Sequence, residues 1–344
     1  MTYDAQSDQY LLELDSLLEA NGTPFEDRAI CIEYATNLRR SGLPVIFDRD
    51  HLAFLLGITL HDLMYFVMQQ DDHYARYYLS KKRGGRRPVD APSERLKSVQ
   101  RWILSSILEK MRVSDYAFGF VKGRSLLENA RVHLGKHCVV NVDIEDFFAS
   151  VQADNVFRVF SYYGYSKEVS FCLSRLCTLS GVLPQGAPTS PCISNLVFLK
   201  VDKRLARLAK TYEASYSRYA DDLTFSGRGN LGNIIPAVEH ILREEGFTLN
   251  DAKTRVAFSH QRQEVTGLNV NGDSVRVPRS FKRDFFQQVY FCKRYGVDSH
   301  LDRTNQLFAF YKEHMYGKAY YLCEIEPEVG RRALGELDAI EWTY

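Results

Sequence analysis

Hydrophobic positions recur along this chain at two spacings, one helical and one strand-like. Residues 7–20 place leucines every three or four positions behind Ser7, which predicts a helix capped by that serine. Residues 43–67 begin with a strand-like Leu-Pro-Val-Ile-Phe run and continue with helical patterns. Residues 93–112 and 279–344 are helical in pattern. Both ends of the chain are therefore expected to be mainly helical.

The middle of the chain mixes strands with helices. Residues 138–142 form a β-branched run that ends at Asp143, and residues 190–210 predict one long helix capped by Ser190. The other predicted elements are a helix from about Gln152, hairpin strands at 215–219 and 223–226, a helix near 233–245, and short strands around Phe247, Arg255 and Glu264. This order resembles a split βαβ unit, which predicts an α+β fold.

Charge is distributed unevenly along a chain whose net charge is only +1. Residues 1–75 hold 4 Lys and Arg against 13 Asp and Glu, whereas residues 76–136 hold 15 against 5. The basic stretch includes Lys81 to Pro88, where two adjacent glycines suggest a hairpin tip or loop. Such a strip could bind a phosphate backbone, or it could pair with the acidic segment inside the fold.

Composition excludes several other classes of protein. Of the 344 residues 45% are hydrophobic and 25% are charged, as in ordinary globular proteins. The sequence has no apolar run of about 18 residues and no signal-peptide pattern, so we expect no membrane partner. Seven cysteines without a CxxC pair argue against a zinc site and for reduced thiols in the cytoplasm.

Three aspartates stand at positions where strands are predicted to end. Asp143 closes the β-branched run, and Asp221 and Asp222 lie in the tight connection of the predicted hairpin. If the strand lies beside the hairpin, these carboxylates could bracket two Mg²⁺ ions, which prefer oxygen ligands and substrate phosphates. Two such ions can activate a hydroxyl nucleophile and stabilise a leaving pyrophosphate. A bare Asp-Asp turn is more often only a solvated turn, so the interpretation depends on the surrounding motifs.

Four ordered motifs resemble those of reverse transcriptases. They are the Tyr-Ala-Asp-Asp hairpin at Tyr219–Asp222, the first catalytic strand at Val142–Phe148, the Leu-Pro-Gln-Gly loop and following helix at Leu183–Pro191 with Asn195, and the strand after the palm helix at Leu249–Thr254. Their order over about 110 residues is far more specific than any one of them. The resemblance implies an RNA-directed DNA polymerase that uses Mg²⁺, with Asp143, Asp221 and Asp222 as metal ligands and catalytic residues.

Two shorter strings narrow the resemblance to bacterial retron-type enzymes. Asn129 to His133 resembles the Asn-Ala-x-x-His motif of that family, and Val265–Thr266–Gly267 resembles its Val-Thr-Gly motif. Taken alone, His133 is more simply read as a structural histidine bonded within its helix. The resemblance covers about residues 43–300.

The resemblance also implies a right-hand polymerase with fingers, palm and thumb. The expected segments are an acidic helical extension at 1–42, basic fingers at 43–136, a palm with a ferredoxin-like sheet and interleaved fingers elements at 137–274, and a helical thumb with an acidic tail at 275–344. The first of these segments and the acidic tail have no role that the sequence indicates.

Five residues are expected around the incoming deoxynucleoside triphosphate. Arg86 matches the fingers arginine that binds the triphosphate, for which a planar guanidinium is suited, and Lys82 is expected to assist it. Gln185 resembles the residue beside the nucleotide sugar, and Phe148 falls where the family places its steric gate against a ribose 2′ hydroxyl. Lys253 could donate a proton to pyrophosphate, although a plain phosphate contact is the simpler role.

Nine Lys and Arg residues between 276 and 318 predict a nucleic-acid surface on the thumb. There an apolar stripe at helical spacing leaves four cations free to reach outward, namely Lys282, Arg283, Lys293 and Arg294. An ordinary amphipathic helix would show the same pattern.

The retron-type resemblance implies specific partners. These are a structured non-coding RNA that serves as template and primer, its branched RNA–DNA product, deoxynucleoside triphosphates, and a protein effector in an anti-phage defence system. Two alternatives stay open: a reverse transcriptase of another bacterial lineage, related to group II introns or abortive infection, and a polymerase-like RNA-binding protein without catalysis.

Overall fold

The structure is a computed structural model that describes residues 8–80, 85–304 and 310–342. The described helices are α1 Gln9–Ala20, α2 Phe25–Arg40, α3 Arg49–Leu56, α4 Leu60–Met68, α5 Glu94–Ser106, α6 Leu126–Arg131, α7 Ala153–Tyr162, α8 Lys167–Cys177, α9 Ser190–Val197, α10 Leu199–Thr211, α11 Ile235–Glu244, α12 Arg279–Tyr295, α13 Val297–Thr304, α14 Tyr311–Ile325 and α15 Pro327–Asp338. The strands are β1 Tyr74–Ser80, β2 Arg86–Pro92, β3 Cys138–Glu145, β4 Ser215–Tyr219, β5 Asp222–Gly227, β6 Thr248–Leu249, β7 Arg255–Phe258, β8 Glu264–Val265 and β9 Leu268–Asn269.

The chain divides into two compact units. The first contains 1–121, 144–204 and 239–249, and the second contains 122–143, 205–238 and 250–344. Strand β3 crosses the division, since Asp143 is the last residue of one segment and Ile144 the first of the next. These units are defined by which residues pack together and not by function. The expected bounds of fingers, palm and thumb therefore remain a prediction.

The first unit is built around α8, which packs against α3, α4, α5 and α7. Two fully or nearly buried glutamines hold its C-terminal end: Gln100 Nε2 donates to Leu176 O at 2.8 Å, and Gln70 Nε2 donates to Thr178 O at 2.7 Å. These bonds satisfy carbonyls that a helix end otherwise leaves without partners. Strands β1 and β2 form an antiparallel hairpin in the same unit.

The second unit contains an antiparallel sheet and a helical layer. In the sheet, β5 lies between β4 and β3, and β7 also pairs with β3. The helical layer buries Phe285, Val289 and Cys292 of α12 in one core with residues from α6, the β8–β9 hairpin, α14 and α15. The predicted apolar stripe of α12 is thus confirmed as a buried face.

Most of the predicted elements are present, and the differences concern one strand, one long helix and two helix caps. The run at 43–47 is not a strand; Val45 and Ile46 are buried, and Ile46 O accepts from Tyr34 Oη at 2.6 Å. The predicted helix over 190–210 breaks at the fully buried Phe198 into α9 and α10. Its cap position is Thr189, because Ser190 Oγ turns back to donate to Pro184 O at 2.7 Å.

The first helix differs from expectation at its cap. Ser7 lies outside the described residues, and the carboxylate of Asp8 accepts from Tyr10 N at 3.1 Å as the cap of α1. Within the described ranges no single helix is long and apolar enough to cross a membrane; α3 and α4 reach that length and composition only together, across a bend of 102°.

Candidate active site

The β4–β5 hairpin places two of the three predicted aspartates at its tip. Tyr219 pairs with Asp222, so Ala220 and Asp221 form a two-residue turn. Ala220 has φ of 57°, a left-handed conformation that an alanine rarely adopts. The fully buried Arg218 donates from Nη1 to Ala220 O at 3.1 Å. The turn is therefore held in a strained conformation by a charged group beneath it.

The register of the sheet brings the third aspartate to the same place. Asp143 on β3 is the direct cross-strand partner of Asp222 on β5, and such partners have Cβ atoms about 4.5–5.5 Å apart. Asp143 is only 7% exposed. Both of its carboxylate oxygens accept from Lys253 Nζ at 2.9 Å, and Asn250 N donates to its backbone carbonyl at 2.8 Å. The structure thus brings the three predicted aspartates together with Lys253.

The charges in this cluster perturb one another. Removal of its carboxyl group from bulk water, followed by the charges of Asp221 and Asp143, raises the pKa of Asp222 to about 7, although the residue as a whole remains accessible to solvent. The hydrogen bond to Asp143 raises the pKa of Lys253. The charge of Lys253 offsets part of this effect, since it lowers the pKa of Asp222.

The donor set of the cluster suits a divalent cation. As the side chains stand, no group of three or more His, Cys, Asp or Glu residues within the described ranges is arranged to hold a metal ion. The carboxylate oxygens of Asp143 are instead occupied by the Lys253 ammonium. Clustered carboxylate oxygens are nevertheless hard donors of the kind that divalent cations prefer.

Asn129 and His133, the first retron-type motif, are buried beneath the hairpin. His133 is fully buried, and its Nδ1 lies 2.7 Å from Ser226 Oγ while its Nε2 lies 2.7 Å from Ser217 Oγ. Ser217 Oγ in turn donates to Asn129 Oδ1 at 2.5 Å. His133 is a structural histidine, as the simpler interpretation held. Its side chain, however, bonds to serines of β4 and β5 and not within its own helix.

The second retron-type motif forms the turn of the β8–β9 hairpin. Val265 is fully buried, and Thr266 and Gly267 have φ of 48° and 80°, the positive values that a type I′ turn requires. Thr266 Oγ1 contacts Leu126 O at 3.5 Å, at the start of α6. At the start of β8, Glu264 O accepts from Asn141 Nδ2 at 3.0 Å. The motif is therefore joined both to α6 and to β3.

The residues predicted to meet the nucleotide lie in the first unit, apart from Lys253. Arg86 is exposed at the start of β2, and Lys82 lies outside the described residues. The loop of Gln185 is bonded to the same strand, since Asp90 N donates to Gln185 O at 2.8 Å. A Cβ on Gly186 would lie 2.5 Å from Asp90 O, so only glycine permits this close approach.

The two adjacent phenylalanines after β3 have different surroundings. Phe147 is 4% exposed and packs against Phe198 and Phe247, with ring centroids 5.6 and 5.9 Å away. Phe148 is half-buried, 6.2 Å from the exposed ring of Phe120. Phe147 is therefore part of the core, whereas Phe148 keeps a partly exposed ring that a ligand could contact.

The four cations predicted on α12 fall into two kinds. Lys282 Nζ donates to both carboxylate oxygens of Glu326 at 2.9 Å, and Lys293 Nζ donates to Glu336 at 2.9 Å. Lys293 is exposed although it is paired, whereas Lys282 lies in a half-buried ion pair and does not reach outward as expected. Arg283 and Arg294 are exposed; Arg283 Nε lies 3.4 Å from the exposed carboxylate of Asp284, and Arg294 makes no ion pair with the described residues. These two arginines are the ones open to a phosphate.

Sequence reasoning missed Arg218, Ser217 and Ser226. The signal for the serines was present, because hydroxyl residues alternate along both strands of a hairpin that is otherwise hydrophobic, and buried hydroxyls need partners. Arg218 gave no comparable signal, since a single arginine in a strand usually faces solvent.

Comparison with known proteins agrees with the motifs. A family model described as "Reverse transcriptase (RNA-dependent DNA polymerase)" matches residues 79–271. The retron Mx162 reverse transcriptase of Myxococcus xanthus is 34% identical, over 89% of this chain and 69% of that protein. The retron Ec86 reverse transcriptase of Escherichia coli is 31% identical, over 89% of this chain and 93% of that protein. Among solved structures, apo telomerase from Candida tropicalis aligns with a TM-score of 0.42 and 12% identity, over 64% of this chain and 61% of that chain.

Proposed function

The chain belongs to the reverse transcriptases, and within them to the retron type, and on this basis we propose that it copies one structured non-coding RNA into a branched RNA–DNA hybrid. Membership of this family confirms the expected right-hand polymerase fold and an RNA-directed DNA polymerase activity. The finer parts of the proposal are the metal, the roles of individual residues, the RNA substrate and the biological setting.

The observation that carries the catalytic part is the register pair of Asp143 and Asp222, with Asp221 in the adjoining turn. These three side chains would hold divalent ions, for which Mg²⁺ is our proposal. When bound, the ions lower the pKa of the primer hydroxyl and neutralise charge on the phosphates. The strand pairing fixes the backbone positions of the three aspartates, so metal binding would need side-chain rotation and release of Lys253 rather than movement of the strands.

Lys253 supplies positive charge to the cluster of aspartates. Its ammonium bonds both oxygens of Asp143 and orients that carboxylate. With metal and nucleotide present, this bond would loosen and Lys253 would be free to contact the pyrophosphate. Its raised pKa keeps the group protonated, which suits a phosphate contact and a proton donor alike.

Arg86, Gln185 and Phe148 would receive the incoming deoxynucleoside triphosphate. Arg86 presents a guanidinium that can bond phosphate oxygens in a bidentate way, and the hydrogen bond between Asp90 and Gln185 ties the Gln185 loop to the same strand. Phe148 would exclude a ribose 2′ hydroxyl by volume. Lys82 is proposed as a further phosphate contact.

The RNA would be bound in part through the exposed arginines of α12. Arg283 and Arg294 could contact backbone phosphates, while Lys282 and Lys293 would first have to leave Glu326 and Glu336. We propose that the enzyme acts in the cytoplasm, within an anti-phage defence system that includes a protein effector.

The experiment that tests the RNA substrate is purification from the native locus. The nucleic acid that co-purifies should be one RNA species joined covalently to DNA, resistant to separation on a denaturing gel. A debranching enzyme that cleaves 2′–5′ linkages should release the DNA. Mixed cellular RNA without attached DNA would reject the proposed substrate, although primer extension could still show polymerase activity.

A further inference from the structure

We infer that Asn129 and His133 are positioning residues that fix the hairpin carrying Asp221 and Asp222, and that they do not contact RNA. The inference rests on the proposed catalytic role of those aspartates. It assigns a physical task to a motif that marks the family but takes no part in the chemistry described above.

Burial excludes direct contact between this motif and a ligand. Asn129 is 1% exposed and His133 is fully buried, so neither side chain can reach RNA without unfolding of α6. Burial lowers the pKa of His133 to about 3, which keeps the ring neutral, with one donor and one acceptor nitrogen. Its two partners are both hydroxyls of the hairpin, one on each strand.

The network has a single consistent direction. Ser217 has one hydroxyl proton and donates it to Asn129 Oδ1, so it must accept from His133 Nε2–H. The other ring nitrogen, Nδ1, then accepts from the hydroxyl of Ser226. All of these hydrogen bonds can form together only when β4 and β5 occupy one position along their axes relative to Asn129 and His133. A buried polar network of this kind selects one arrangement more strongly than apolar packing does.

The network acts close to the aspartates. Ser217 pairs with Thr224, two ladder steps from the Tyr219–Asp222 pair, a distance of roughly 7 Å along the strands. A shift of β4 relative to β5 would distort the turn that carries Asp221, beside the Asp143–Asp222 pair. The imidazole spans both strands and opposes that shift.

A second set of hydrogen bonds joins the same hairpin to β3, the other neighbour of β5 in the sheet. Thr224 Oγ1 donates to Asn141 Oδ1 at 3.1 Å, and Asn141 Nδ2 donates to Glu264 O at 3.0 Å. Glu264 begins β8, whose turn contacts the start of α6 through Thr266. The Asn-Ala-x-x-His and Val-Thr-Gly strings are therefore two parts of one support beneath the catalytic hairpin.

The test separates rate from active fraction. Rapid-quench measurement of single-nucleotide incorporation gives a burst amplitude, which counts active enzyme, and a rate constant for each active molecule. Ser217→Ala, Ser226→Ala and His133→Gln should lower the rate constant about tenfold or more, with burst amplitude and RNA affinity changed less than about twofold. They should also shrink the rise in Tm that Mg²⁺ produces in the absence of nucleotide.

Two variants serve as matched controls. Ser215→Ala removes a hydroxyl from the same strand outside the network, and His137→Gln replaces an exposed histidine in the same unit. Both should behave like the wild type. If His133→Gln does not fold, the two serine variants decide the question.

Three outcomes would overturn the inference. A fall in burst amplitude at an unchanged rate constant would make the network a stabiliser of the fold alone. Weaker RNA binding at an unchanged rate constant would make the motif an RNA-reading element. Wild-type rates in active serine variants would reject the inference and leave the proposed function intact, whereas a wild type inactive on every template would reject both.

Discussion

The two hairpins that carry the predicted active-site residues differ in what holds them. The β4–β5 hairpin is buried at most positions, turns in two residues, and is bonded by side chains from α6 and β3. The β1–β2 hairpin is exposed at most positions; its ladder, the Arg76–Asp90 ion pair and a backbone bond to Gln185 support it.

This difference matches two different tasks. Carboxylates that act on a reacting phosphate must be fixed to a fraction of an ångström, which requires packing and satisfied hydrogen bonds around them. An arginine that meets a triphosphate arriving from water can remain solvated until it binds. We call the β4–β5 hairpin, which carries Asp221 and Asp222, the acidic hairpin, and the β1–β2 hairpin, which carries Arg86, the basic hairpin. Changes in the acidic hairpin should therefore alter the rate of the chemical step, and changes in the basic hairpin should alter nucleotide affinity.

The largest effect is expected from the aspartates of the acidic hairpin. Asp221→Asn or Asp222→Asn keeps the shape of the side chain but removes the charge that would hold the metal, so DNA synthesis should fall roughly 100- to 1,000-fold or more. RNA affinity, measured by filter binding, should stay within about twofold of the wild-type value. Asp251→Asn, at an exposed position near Lys253, is the control. Near-normal extension by either hairpin variant would remove that residue from the metal site.

The basic hairpin should respond through substrate affinity. Arg86→Ala removes charge-assisted hydrogen bonds of about 1.5–3 kcal/mol, which corresponds to a rise of roughly 10- to 100-fold in the KM for deoxynucleotides. Arg87→Ala changes the neighbouring exposed arginine, whose side chain points to the other face of the strand, and should have little effect. A fall in kcat for Arg86→Ala without a change in KM would contradict the division of tasks.

A smaller effect, on selectivity, is expected from the phenylalanine pair. Phe148→Ala should raise ribonucleotide incorporation relative to deoxynucleotide about tenfold or more, because the gate works by excluded volume. Phe147→Ala should instead destabilise the protein by about 3–5 kcal/mol through loss of core packing. Alkaline cleavage of the product measures the first effect and thermal unfolding the second. Unchanged sugar selectivity in an active Phe148 variant would place the gate elsewhere.

The smallest effect is expected on α12, where exposed and paired cations can be compared. Arg294→Glu should weaken RNA binding and leave Tm unchanged. It should also reduce the slope of log affinity against log salt concentration by about one, since one phosphate contact is lost. Lys282→Glu should lower Tm, because it breaks the half-buried pair with Glu326 and sets two carboxylates together. Normal RNA binding by Arg294→Glu would direct the search for phosphate contacts to another surface.

Much of the acidic hairpin could be predicted from sequence because its signals are local. Strand periodicity gave β4 and β5, and the ordered motifs identified Asp143, Asp221 and Asp222 as a set. The ion pair between Lys253 and Asp143 was beyond that reasoning, since it depends on how the turn after β6 folds back. The buried bonds of His133 were missed for the same reason: the two serines lie 84 and 93 residues away along the chain.

On α12 the buried face could be predicted from sequence, but the partners of the charged residues could not. Its apolar stripe was predicted correctly, because helical periodicity reports burial directly. The ion pairs of Lys282 and Lys293 were not predicted, since charge on a helix does not show which acidic residues another helix brings beside it. The strand expected at 43–47 failed likewise: its apolar residues are buried without strand pairing, a tertiary choice that local propensity cannot show.

Extension of an oligo(dT) primer by the purified wild-type protein tests the central claim most directly. We predict synthesis on poly(rA) that requires added Mg²⁺, stops on chelation, and is absent in an Asp222→Asn preparation that still binds the template. Synthesis that persists without a divalent ion, or extension by Asp222→Asn at the wild-type rate, would contradict the assignment of chemistry to the acidic hairpin.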